Sequence, residues 1–164
     1  MNESVTWPLV SNLIRRRSVN NTFGMVRKRA DGTAKPHQGW DFAAEIGTPF
    51  YAISDGTIRF IRDRGDYGLQ LCLEFNFENS VYYAFYAHLE KCYYQTGEGL
   101  DIAVEMNTLL GKTGESGNAK GMSKNDQHLH FEIRTALAPR LGLQDRISPV
   151  KIFGKCPLQQ SISG

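Results

Sequence analysis

Between Gly68 and Leu89 the chain reads GLQLCLEFNFENSVYYAFYAHL, two runs rich in aromatic and apolar side chains joined through the polar NFENS. The pair reads as a β-hairpin, and a hairpin of this length commits its surroundings to an antiparallel sheet. Further short runs bounded by Gly, Asp or Asn extend the pattern: GTPFYAIS (47–54), GTIRFIRD (56–63) and HLHFEIR (128–134). VEMNTLLGKTG (104–114) suggests another short strand pair. WPLVSNLI (7–14), with Pro8 near its start, predicts a short helix. The polar NAKGMSKND (118–126) predicts a loop, and the tail from Ala136 onward predicts irregular packing around the sheet. At 164 residues, 41% of them hydrophobic and 22% charged, the chain suits one domain with its own core. The expected fold class is all-β to β-rich α+β, an antiparallel β-sheet with short helices.

In HLHFEIR, strand alternation puts His128 and His130 on one face, about 7 Å apart, with Leu129 and Phe131 on the other. By itself this HxH fits a half-polar sheet face as well as a metal ligand beside a catalytic base. The other histidines change the balance. HQGWD supplies His37 and Asp41, and YAHL sets His88 at the end of an aromatic strand. Imidazole with carboxylate suits zinc, whereas magnesium and calcium favour an all-oxygen set. A catalytic zinc takes three protein ligands and keeps one position open, a number that two histidines and one aspartate meet. Two histidines then remain for proton transfer and for stabilising an oxyanion.

Other chemistries fit less well. GKTG (111–114) resembles part of a phosphate loop, but the glycine required five residues before Gly111 is Met106. A thiol nucleophile, such as Cys92 near His88, leaves HxH and HxGxD unexplained. The helical HExxH zinc signature is absent. Cys72, Cys92 and Cys156 are an odd number without paired spacing and imply no disulfide framework.

Taken in order, FG (23–24), HQGWDFAAEIGTPFYAISDGTI, GDYGLQLCLEF, YAHL, GKTGESG and HLHFEIR resemble the lysostaphin/LytM family of zinc metallopeptidases, which cut the peptide part of bacterial peptidoglycan. The resemblance runs from about Asn20 to Pro149. It implies a LytM-like zinc peptidase domain over 20–150, preceded by an N-terminal segment (1–19) and followed by a C-terminal tail (151–164). It implies one Zn2+ per chain held by His37, Asp41 and His130, with His128 as the base that handles the water at the metal. His88 would hold or stabilise the tetrahedral intermediate. The implied substrate is the peptide stems or crosslinks of peptidoglycan, and because the chain has no room for a wall-targeting domain, the expectation is D-Ala–diaminopimelate crosslinks rather than glycine bridges. The chain departs from the family's pattern in three places. The 118–127 connection is long, Gln127 stands where proline is frequent, and Asp31 stands where some members carry a tyrosine. The alternative function is a zinc-bound, non-catalytic module that binds peptidoglycan or activates another hydrolase.

Net charge is only +2, so the clusters RRR (15–17) and RKR (27–29) read as solvated surface rather than as a nucleic-acid interface. No apolar run reaches membrane-spanning length, and stable membrane insertion is not expected. MNESVTWPLVSNLIRRR lacks the pattern of a secretory signal. The expectation is synthesis in the cytoplasm without a signal peptide. Action in the periplasm or cell wall of a target cell would follow delivery or lysis, as for a type VI-like antibacterial effector or a phage lysin. A cognate immunity protein or a secretion-system component would be the accompanying partner.

Overall fold

The computed structural model describes residues 4–164. The first strands are β1 (Ser11–Asn12), β2 (Gly24–Lys28), β3 (Ala34–His37), β4 (Trp40–Ala43) and β5 (Pro49–Tyr51). The longer β6 (Gly56–Arg64), β7 (Gly68–Phe77), β8 (Ser80–Cys92) and β9 (Gly97–Val104) follow. β10 (Leu109–Thr113), β11 (His128–Arg134), β12 (Arg146–Ile147), the helix α1 (Val150–Phe153) and β13 (Ile162–Ser163) complete the order. The main sheet runs β12-β11-β8-β7-β6-β9, with β4 also on β11, and β10 joining β8 to β5. Its ladders are antiparallel.

The β7–β8 hairpin turns at Glu78 and Asn79, both left-handed (φ 49° and 64°), the backbone whose twist suits a two-residue connection. One face of the sheet packs a continuous apolar core that includes Trp40, Phe42, Phe50, Tyr86, Leu129 and Phe131. Phe131 meets Phe42 and Tyr86 edge-on, with centroids at 5.9 and 5.2 Å. The other face carries the polar residues that alternate with these, and the histidine constellation lies there. Among the described residues, no helix is long and apolar enough to cross a membrane.

The helix expected over residues 7–14 does not form. Ser11 and Asn12 instead pair with β13, and single 3-10 turns follow at Arg15–Arg17 and Val19–Asn21. The reason is tertiary. The Pro8 carbonyl accepts from Tyr51 N, Ile14 N donates to the Pro157 carbonyl, and the Leu13 carbonyl accepts from Ala43 N. Eight residues make a poor helix nucleus, and these partners take their backbone groups instead. The strand pair expected in 104–114 resolves differently. β9 ends at Val104 and pairs with β6, while β10 pairs with β5 and β8. The tail is more regular than expected, since α1 and β13 pack it back onto the N-terminal segment. Phe153 stacks on Trp7 at 4.3 Å.

Candidate metal centre and flanking histidines

β11 lies between β4 on one side and β8 on the other. Asp41 sits directly opposite His130 in the β4–β11 ladder, while its neighbours Trp40 and Phe42 turn into the core. The HQGWD motif thus spans the end of β3 and the start of β4, with the Asp41 carboxylate on the polar face. Its glycine has a steric reason, because a Cβ on Gly39 would collide with the backbone carbonyl of Phe131. His37 ends β3, four residues before Asp41, and is held by β2 through the Gly24↔His37 pair.

Ligand atoms from His37, Asp41 and His130 all lie within 4.8 Å of one another, and all three residues are buried. Asp41 Oδ1 is 3.1 Å from His37 Nε2 and 3.0 Å from His130 Nδ1. The opposite ring nitrogens are already committed. His37 Nδ1 donates to the Thr22 carbonyl at 2.8 Å, and His130 Nε2 donates to Glu132 Oε2 at 2.7 Å. Those bonds leave His37 Nε2 and His130 Nδ1 as the inward-facing nitrogens, which donate to Asp41 Oδ1 while protonated and would have to give up that proton to meet a metal. Burial by itself would raise the Asp41 carboxyl, but the hydrogen bonds from His130 and His37 outweigh it and hold it well below the usual carboxylate range. Burial would lower His130, and its bonds to Asp41 and Glu132 instead raise it to about 9. Two imidazoles and a carboxylate so placed are a donor set that could hold a metal ion, and one whose chemistry suits zinc.

The two remaining histidines flank this group. His128 and His88 meet edge-on with centroids at 5.0 Å, and His88 lies 6.0 Å from His130. His128 Nδ1 donates to the Asp126 carbonyl and His88 Nδ1 to the Ser116 carbonyl, each at 2.8 Å. Both therefore present an unprotonated Nε2 when neutral. That of His128 stands 3.8 Å from Asp41 Oδ2. Burial lowers both, His88 to about 4, with the other histidines adding to the effect. His88 reaches the site through an irregularity. Its backbone is left-handed (φ 59°), its N–H donates to the Tyr67 carbonyl, and Gly114 N–H donates to its own carbonyl.

The structure brings all five anticipated residues into one place and adds others that sequence reasoning did not single out. Glu132 is fully buried and accepts from Tyr67 Oη (2.6 Å), His130, Arg134 and Arg146. The period-2 rule that joins His128 to His130 also points to Glu132 and Arg134, so that signal was present. Arg15 and Arg27 were read as solvated surface, and here the structure differs. Each donates to Asp41 Oδ2, at 3.2 and 3.0 Å. No local sequence signal foretells that. Tyr86 and Phe131 are core residues, the Tyr86 hydroxyl donating to the Tyr51 carbonyl. A groove of about 890 Å³ opens beyond Tyr67, on the same face of the sheet, between Arg62, Arg134 and Leu137.

The family model for Peptidase family M23 matches residues 35–141. The peptidoglycan DD-endopeptidase ShyB of Vibrio cholerae is 33% identical over 118 residues, covering 71% of this chain and 25% of that protein. The chain thus spans about a quarter of the length of the curated relatives it matches. A solved zinc-containing peptidase from Vibrio cholerae is similar with a TM-score of 0.65 and 27% identity, over 90% of this chain and 39% of that one. Lysostaphin from Staphylococcus simulans shares the fold, with a TM-score of 0.57 at 20% identity, over 93% of this chain and 50% of that one.

Proposed function

The chain belongs to peptidase family M23, and from that premise we propose that it is a zinc-dependent endopeptidase hydrolysing the peptide crosslinks of bacterial peptidoglycan. The observation that carries this reading is the convergence of His37, Asp41 and His130 on one point with two further histidines beside it. Under the proposal those three residues hold the metal, and His128 and His88 are the catalytic pair. A bound zinc supplies Lewis acidity toward the scissile carbonyl and toward water.

The protein's own groups supply the rest. His128 is pinned at Nδ1, so only Nε2 is free to take a proton from the attacking water and return it to the leaving amine. His88 is pinned in the same way. Its Nε2 is an acceptor in the neutral ring, so it can donate to a developing oxyanion only once it has itself taken a proton. Glu132, fixed by Arg134 and Arg146, holds His130 in register.

The test is digestion of purified sacculi followed by separation of the released muropeptides. Wild-type protein should release cleaved crosslinks, with D-Ala–diaminopimelate bonds cut in preference to glycine bridges, and His37→Ala, Asp41→Ala and His130→Ala should each lose zinc and activity. A folded, zinc-loaded protein that binds sacculi without releasing fragments would be a binding or hydrolase-activating module instead. The finer proposal, action on a target cell as an antibacterial effector or phage lysin, has its own test. Fused to a periplasmic signal in a Gram-negative host, the chain should be lytic and His128→Ala should not.

A further inference from the structure

Two arginines N-terminal to the matched stretch, Arg15 and Arg27, converge on the Asp41 carboxylate, and Asn21 bonds both. Arg15 Nη1 and Arg27 Nη2 both donate to Oδ2. Asn21, a buried residue, accepts from both guanidinium groups on Oδ1, at 3.4 and 3.0 Å, and its Nδ2 donates to the Arg15 carbonyl at 2.9 Å. Arg15 does more. Its Nε reaches Asp126 Oδ1 at 3.3 Å, and the Asp126 carbonyl is the acceptor that pins His128. Arg16 adds two bonds to the same Asp126 carboxylate, each 3.0 Å.

We propose that Arg15, Asn21 and Arg27 form a positioning cluster that fastens Asp41 Oδ2 so that Oδ1 alone faces the metal, and that Arg15 ties this ligand to the segment supporting His128. The proposal rests on the assignment of His37, Asp41 and His130 as metal ligands. A carboxylate can offer a metal either oxygen or both, and two charge-assisted bonds to one oxygen remove that freedom before the metal arrives. Arg15 can span two carboxylates because a guanidinium presents several donors in a rigid plane, which a lysine ammonium does not. The part of the chain that builds the centre therefore begins at Arg15, about twenty residues before the match to the family model.

The sign of one measurement separates positioning from charge. Two cations beside a ligand repel an incoming divalent ion, so bare electrostatics makes zinc bind more tightly once either arginine is neutralised. Positioning gives the opposite result. Zinc affinity of the full chain is measured by competition with a chromophoric chelator for wild type, Arg15→Ala, Arg15→Gln, Arg15→Lys, Arg27→Ala and His37→Ala, with folding checked by circular dichroism. Arg15→Ala and Arg27→Ala should each bind zinc about 10-fold or more weakly, the scale for losing a residue that orients a ligand. Arg15→Lys should fall between Arg15→Ala and wild type. At saturating zinc, both Arg15→Ala and Arg27→Ala should lower kcat with KM unchanged, Arg15→Ala more than Arg27→Ala, because of these two arginines Arg15 alone also reaches Asp126. Wild-type or tighter zinc binding in the arginine variants, alongside loss of zinc in His37→Ala, overturns the cluster and leaves the metal centre standing. Undiminished zinc binding in His37→Ala overturns the ligand assignment and the cluster with it. If Arg15→Ala does not fold, Arg15→Gln and Arg27→Ala carry the same comparison.

Discussion

Each histidine of the site has one ring nitrogen bound to a fixed acceptor, a carbonyl for His37, His88 and His128 and a carboxylate for His130. That separation of duties makes single substitutions informative. His128→Ala and His88→Ala remove groups outside the proposed ligand triad, so zinc content by elemental analysis should stay close to one per chain while hydrolysis falls about 10²-fold or more. Wild-type rates in both variants would remove the pair from the chemistry. The cysteines lead to the opposite expectation. Burial pushes the Cys72 and Cys92 thiols up to about 12, so each stays protonated, and a poor nucleophile, across neutral pH. Iodoacetamide at pH 7.5 should leave both unlabelled in the native protein and label them in denaturant, and replacing all three cysteines with alanine should leave hydrolysis intact. Loss of hydrolysis at a single, folded cysteine variant would restore the thiol reading.

Among the elements, β4 and β11 are the pair on which the site depends. Four register pairs, from His128↔Ala43 to Phe131↔Trp40, put Asp41 opposite His130 and drive the intervening aromatic residues into the core. A slip of one residue would exchange those two sets, so apolar burial on one face enforces the geometry of the polar face. Gly39 lets β4 approach this closely. Gly39→Ala places a methyl group against the Phe131 carbonyl and should force the strands apart. The expected result is a loss of about 1–3 kcal/mol in denaturant unfolding together with weakened zinc binding. A variant with wild-type stability and affinity would show that the strand accommodates the methyl without moving. β8 contributes differently, since the left-handed backbone at His88 interrupts its alternation where the ring must join His128.

For the molecule as a whole, the site belongs to a core that does not depend on it. Leu9 and Ile14 from the N-terminal segment and Ile152 from the tail are buried in the same apolar cluster as the sheet. Among the described residues, no fully buried side-chain nitrogen or oxygen lacks a hydrogen-bond partner. Removing zinc with a chelator should therefore abolish hydrolysis but leave the far-UV circular dichroism and a cooperative melt, with activity restored by added zinc. Collapse of the sheet on chelation would make the metal a folding element, as in small zinc domains. The sequence alone determined the sheet class, the β7–β8 hairpin and the β11 strand with its two faces, because period-2 alternation and turn chemistry are local properties, while the five candidate site residues were singled out by the resemblance that HxGxD, YAH and HLHFE carry. It did not determine the extended course of residues 7–14, whose backbone partners lie as far away as Pro157. β9 was hidden by Gly97 and Gly99 within a half-buried strand. The turn of His88 toward His128 and the closing of Arg15 and Arg27 on Asp41 were likewise decided only by tertiary structure. An arginine's partner depends on where distant segments meet, and a solvated guanidinium and one fastened to a buried carboxylate are written with the same letter.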